Sequence, residues 1–484
     1  MRDYLPKRRT ALVFTGSGTT GAYHAGVLRA LDESGVKIDL VVGSGIGVVT
    51  AAFAAVGGGP KLYGPDGFWA RVRWSSFYRL RPTVRLALSL LGVSFVIIAL
   101  PVLLGLLLGI LSALLLIADR VSPGVASRAL ALLWVAPERL SGPYLAAQAL
   151  PVFALALLAV VATAVVYLRD RRRFAEAFES FLDAAPGLER LKRSLWAVAR
   201  GAALSGGAPS DAELGRRYVA LLAENLGEPG FRELVLRAAD LDRGDALAFV
   251  LLREDHGSAS AAHEGALADA VDLLAGGNDA LLFDALATGL LCPMAMPLRR
   301  VSFPRGAVHA GETHRLTDAT FAGGSGIREA LAAGAEQVVV VTGVPEAVVP
   351  LARRRGPLAR LDGAVRALER RAAEEVDDAW RVNRMLGSLG SRGGNGRGSW
   401  EDPASGRTYS EIDLWAIRPD RRALGPMELD GASDPSTEVL QTTDDLLELG
   451  FRDAYRQFIE PVVGQSPLPQ REEGKYRDTQ PVEL

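Results

Sequence analysis

The chain is 484 residues long, 49% hydrophobic and 23% charged, with a formal net charge of -2. That length allows two or three globular units, and a near-neutral charge removes the electrostatic case for nucleic acid as a partner. Its one cysteine, Cys292, excludes an intramolecular disulfide framework and is compatible with a reducing compartment.

In chain order, the first ten residues are charged and the first apolar stretch, Ala11–Phe14, is too short for a signal peptide, so none is expected. Thr10–Phe14 reads as a short buried strand. The glycine turn Gly16-Ser17-Gly18-Thr19-Thr20-Gly21 follows, then a helix over 22–34 and a strand over 38–42. This βαβ order predicts a mostly parallel sheet with helices on its faces. The second turn, Gly43-Ser44-Gly45-Ile46-Gly47, lies between that strand and a helix over 48–56. It has the frame of a G-x-S-x-G nucleophile elbow, but the central position is Gly45.

Two apolar runs come next. Residues 86–118 carry no charge over about 33 positions, roughly 50 Å as a helix, with Pro101 near the middle. Residues 145–168 form a second run of about 24. Each exceeds the roughly 20 residues that cross a bilayer; buried core helices are the alternative. Arginines flank the outer ends (Arg79, Arg81 and Arg85; Arg169 and Arg171 to Arg173). The positive-inside bias therefore predicts a transmembrane hairpin in the cell membrane with the globular part on the cytoplasmic side. Whether 86–118 crosses once or turns back at Pro101 stays open.

Beyond the hairpin, 173–204 reads as an amphipathic helix, 231–252 as two strands around Asp240, Asp242 and Arg243, and 280–291 as a helix. A strand ending at Asp318, a helix over 326–333 and a β-branched strand over 337–344 resume the sheet. A charged helix over 358–386, a Gly/Ser/Arg-rich flexible loop over 388–410, a late strand over 409–417, a helix over 443–459 and a disordered tail over 464–484 complete the chain. The expected division is 1–80, 81–173 (hairpin), 174–345, 346–463 and 464–484.

The first glycine turn satisfies G-x-G-x-x-G, the dinucleotide fingerprint. The second strand, however, lacks an acidic residue at its end for the ribose, which counts against that use. Taken with the second turn, it suits an oxyanion hole, since glycine-loop N–H groups at a helix N-terminus stabilise developing negative charge. His256, His263, His309 and His314 are dispersed along the chain with no H-E-x-x-H or Cys/His cluster, so no metal is expected. His24 reads as a structural contact and Cys292 as a small buried hydrophobe. Asp240, Asp242 and Arg243 read as a strand-end turn, and Arg353 to Arg355 as a solvated face.

Residues 12–28, LVFTGSGTTGAYHAGVL, together with Val41–Gly47 and Leu316-Thr317-Asp318-Ala319-Thr320, resemble the patatin-like phospholipase family. The approach Ala285–Thr288 with Pro293 and Pro297 fits the same pattern. The resemblance covers about 120 residues in two blocks. It implies a three-layer α/β fold with a mostly parallel central sheet, here with the inserted transmembrane hairpin. It also implies lipid acyl-ester hydrolysis by a Ser-Asp dyad without a cofactor, and a bilayer, phospholipid or other acyl lipid as partner. Carried over residue by residue, Gly16, Ser17, Gly18, Thr20 and Gly21 form the oxyanion loop, Gly43 and Gly47 flank the elbow, and Asp318 is the dyad acid.

The chain departs from the family at the chemical positions. Gly45 stands where the serine should be, Thr20 where the loop has a basic residue, Ser17 where it has a glycine, and Ala319-Thr320 where a glycine pair follows the aspartate. Without a hydroxyl the covalent step has no nucleophile. The expectation is a membrane-anchored protein of lipid acyl-hydrolase ancestry, catalytically impaired, acting in lipid binding or as an interaction module. The alternative is an active lipid acyl hydrolase using Ser44 and Asp318, although Val42 and Ile46 would crowd a turn centred on Ser44. A third option is a structural scaffold with a collapsed pocket.

Overall fold

The computed structural model describes residues 4–86, scattered positions between 88 and 117, and 180–201, 207–253, 266–292, 295–305, 307–346, 357–388, 398–403, 408–420, 424–433 and 440–464. The chain divides into two compact units, one of residues 1–79 and 184–484, the other of residues 80–183.

The larger unit is built on one mixed sheet. Its parallel core is β1 (Thr10–Gly16), β2 (Leu40–Gly45), β3 (Glu233–Asp240), β8 (Gln337–Thr342) and β9 (Asp413–Ile417). The order runs β9-β8-β1-β2-β3, continued by β4 (Asp245–Leu251) and β5 (Val271–Asp272). β1, β2, β3 and β8 are buried along their whole length. That explains the apolar runs within β1, β2 and β8, since a parallel strand covered on both faces has no polar side to show; β3 departs from this with buried Glu233, Arg237 and Asp240. A hairpin of β6 (Arg299–Ser302) and β7 (Thr313–Asp318) attaches antiparallel to the upper half of β3.

Among the described residues, the α-helices of six or more residues are α1 (Thr20–Glu33), α2 (Gly47–Ala55), α3 (Ala185–Ala199), α4 (Asp211–Asn225), α5 (Leu282–Thr288), α6 (Ile327–Ala332), α7 (Pro357–Ser388) and α8 (Thr443–Ala454). One face of the sheet is filled by Val13, Val42, Val235, Val338, Val340, Ile327, Ala330 and Val376, so α6 and α7 cover it. α1 and α8 cross almost backbone to backbone. A Cβ on Gly26 would stand 1.8 Å from the Leu447 carbonyl oxygen, and one on Gly450 would stand 2.2 Å from that of Tyr23. Only glycine permits so close an approach.

Several expected elements sit within two or three residues of their expected ends, α7 among them. Within 388–410, residues 389–397 and 404–407 lie outside the described residues, and the rest includes paired strands. Ser399–Glu401 pairs antiparallel with Thr408–Ser410, and Trp400 stacks on Tyr409 across the pair at 5.8 Å. A cross-strand aromatic pair supplies the local stabilisation that the Gly/Ser-rich composition conceals. Most of the expected disordered tail, residues 465–484, lies outside the described residues, as do Arg353 to Arg355.

The transmembrane hairpin, and with it the integral-membrane placement with a cytoplasmic globular part, is corrected. Among the described residues no helix is long and apolar enough to cross a membrane. A span needs a continuous helix of about 20 apolar residues, and hydropathy alone measures a run's tendency to leave water without specifying such a helix. The run 145–168 and much of 86–118 lie outside the described residues. Within the smaller unit, the Arg81 N–H donates to the Phe181 carbonyl, joining its two ends.

Candidate functional site

Both glycine turns lie at the C-terminal edge of the parallel strands, where α/β sheets place their sites. Register explains how Asp318 reaches them. β2 pairs with β3 through Ser44 opposite Arg237. One residue further along β3, Ala238 pairs with Asp318 of β7. β7 therefore takes over the edge of β3 where β2 ends, and Asp318 arrives beside Gly45, 273 positions away in sequence.

Gly45 has φ +62°. A Cβ there would stand 3.0 Å from Asp318 Oδ1, but 2.2 Å from the Gly16 carbonyl oxygen. That carbonyl accepts the Ile46 N–H at 2.8 Å. The N–H after the nucleophile position is the one an elbow directs at an oxyanion, and here the first glycine loop uses it. Gly16 thus lies across the space that any side chain's Cβ at position 45 would need.

Several of the loop's own donors are also engaged. Ser17 N–H donates to Glu369 Oε1 at 2.7 Å, and the Thr20 hydroxyl donates to the same oxygen at 3.3 Å. Thr19 N–H donates to the Pro426 carbonyl at 3.1 Å, and its hydroxyl to the Gly425 carbonyl at 2.8 Å. Glu369 comes from α7 and is 2% exposed. A carboxylate thus stands where an oxyanion loop would hold a substrate oxyanion, at the start of α1, where negative charge is favourable. Two surface clefts, of about 1350 and about 570 Å³, are lined by neither Gly45 nor Asp318.

Asp318 is buried. Its Oδ1 accepts the Thr320 N–H and hydroxyl at 2.8 and 2.7 Å, and its Oδ2 accepts the Ser17 hydroxyl at 3.1 Å. Burial, opposed by these bonds and reinforced by Glu369, pushes its carboxyl from 3.8 up to about 7. The folded state therefore holds a proton that the unfolded chain releases. The resulting stability is complete below about pH 3.8 and is lost as pH rises through about 7. Asp318→Asn keeps the acceptor for Thr320 and removes the charge. Its stability is expected to exceed that of the wild type by on the order of 2–4 kcal/mol above pH 7, at about 1.4 kcal/mol per pKa unit. Urea midpoints at pH 4 and pH 8 check this: the gain should appear at pH 8 and vanish at pH 4.

Ser44 is brought to a different partner. It is fully buried, and its hydroxyl accepts from Arg237 Nη1 at 3.2 Å. Arg237 also donates to Glu329 at 2.7 Å and to the carbonyls of Gly324 and Gly323 at 2.8 and 3.0 Å. Among the described residues no hydrogen bond joins Ser44 to Asp318. His24 is buried and donates from Nε2 to the Thr15 carbonyl at 3.2 Å, and burial lowers its pKa to about 3. It is a neutral structural contact. Cys292 is buried, and desolvation with Asp318 nearby pushes its thiol up to about 12.

Two features were not anticipated. Glu369 falls in the stripe of Leu361, Val365, Ala372, Ala373 and Val376, all buried. A carboxylate in the apolar stripe of an amphipathic helix, one of two there with buried Asp362, was a readable signal. The histidines are not all dispersed. His309, Glu312 and His314 come together, and the spacing H-x-x-E-x-H was the available sign.

A parallel α/β sheet with two glycine turns and an aspartate converging at its C-terminal edge is the layout that the sequence resemblance implies. In agreement, the Patatin-like phospholipase family model matches residues 12–118, which hold most of β1, both glycine turns, α1, β2 and α2. Among solved structures, VipD from Legionella pneumophila is similar at 11% identity, covering 93% of this chain and 66% of that chain, with a TM-score of 0.31. A likeness at that level carries no weight for function, and the chain spans about two thirds of the VipD chain. No curated protein matches.

Proposed function

We propose that this patatin-like protein does not hydrolyse acyl esters and serves as an interaction module. The observation that carries the reading is the Gly16 carbonyl, which lies 2.2 Å from where a Gly45 Cβ would stand and takes the Ile46 N–H at 2.8 Å. Covalent catalysis needs a nucleophile and an open oxyanion site, and the loop and its partners occupy both places. Of the two non-catalytic roles, acyl-lipid binding would need that cleft open. Glu369, Gly425 and Pro426 on the loop favour interaction with another macromolecule.

The test is purified full-length protein offered a fluorophosphonate probe and a short-chain p-nitrophenyl ester. Background turnover and no labelled serine are expected. A probe adduct on Ser44, or turnover abolished by Asp318→Ala, would restore the hydrolase reading.

A further inference from the structure

His309, Glu312 and His314 present ligand atoms that all lie within 4.8 Å of one another. Glu312 and His314 are two apart on the β7 side of the hairpin and share a face. His309 enters from the connecting turn, where its carbonyl accepts the Glu312 N–H at 3.0 Å. Phe303 packs against both imidazoles at 5.4 and 5.1 Å, giving the cluster an apolar wall.

The hydrogen bonds orient the rings. Buried Asp240 accepts from His314 Nδ1 at 2.5 Å. With the ring proton on Nδ1, the Nε2 lone pair faces Glu312 Oε2 at 2.8 Å. Two acceptors at that separation repel unless positive charge sits between them, supplied either by a second ring proton or by a metal ion. A carboxylate holding the remote nitrogen of a ligating histidine is the usual outer support of a metal site. Beside His309 that charge is at present a guanidinium: Arg243 Nη1 lies 3.0 Å from Nε2, while Nη2 pairs with Asp269. The Arg243 side chain is 38% exposed and can swing out.

We propose that His309, Glu312 and His314 bind one divalent first-row transition metal of the zinc type, with Asp240 as the positioning residue for His314. Two imidazoles and a carboxylate suit zinc, with a fourth position left for water. Tetrahedral bonds of roughly 2.0–2.2 Å place ligands roughly 3.4 Å apart, so the cluster closes by side-chain rotation. Through Asp240 the site ties the β6–β7 turn to the end of β3, and His314 lies on β7, the strand that delivers Asp318.

The test uses chelator-treated, full-length protein titrated with zinc chloride by calorimetry, with cobalt(II) as a spectroscopic probe. One zinc per chain and a tetrahedral cobalt absorption band are expected. Glu312→Gln, at a side chain 63% exposed and so harmless to folding, should weaken binding by at least about tenfold, as should Asp240→Asn. His309→Gln should weaken it further. Arg243→Ala should bind as well as wild type or better, which an arginine serving only to brace the turn does not predict. No zinc uptake by the wild type, or equal uptake by wild type, Glu312→Gln and His309→Gln, overturns the proposal and leaves the cluster held by a second ring proton.

Discussion

Gly45→Ser is expected to lower stability by about 3–6 kcal/mol and to produce no ester turnover. The backbone at Gly45 has φ +62°, which costs a side-chain-bearing residue about 1–2 kcal/mol. The new Cβ would stand 2.2 Å from the Gly16 carbonyl oxygen. Relief comes only by moving the loop, which breaks the Ile46–Gly16 hydrogen bond at about 1 kcal/mol and repacks the site at a further 1–3 kcal/mol. Because the strain arises at Cβ, Gly45→Ala should destabilise nearly as much. Urea unfolding of both variants and ester hydrolysis by the serine variant check this. A stable serine variant with Asp318-dependent turnover would show that the loop opens readily and that only the hydroxyl is missing.

Arg237→Met is expected to cost about 3–5 kcal/mol, because it leaves Glu329 buried without its countercharge. The two side chains are 5% and 9% exposed and 2.7 Å apart. The substitution also removes donors from Ser44 and from the carbonyls of Gly323 and Gly324. Arg237→Met with Glu329→Met should recover much of the loss, since replacing both members of a buried pair by apolar groups is often near neutral. A double-mutant cycle by chemical denaturation measures the coupling. A single variant as stable as wild type would show that Arg237 does not hold the turn after Asp318.

The same residues explain how far the site was legible. Both glycine turns were visible because the signal is local: strand, small residues and helix within about ten positions. Asp318 was recognisable only through its resemblance to a family motif, and its approach to Gly45 depends on β7 replacing β2 along β3. Glu369 lies 352 positions from Ser17, and no spacing rule connects them. The apolar runs at 86–118 and 145–168 were equally visible. Hydropathy there identified a solvent preference, and the spanning hairpin inferred from it did not follow.

By itself, the sequence determined the alternation of buried strands and helices, the two glycine turns, and the absence of a side chain at Gly45. Those properties follow from periodicity and from residue identity within a few positions of chain. Only the tertiary structure decided what fills the space beside Gly45, which charge faces the glycine loop, and that two histidines share a glutamate. Each of those depends on strand register and helix packing, which bring together groups that the chain keeps far apart.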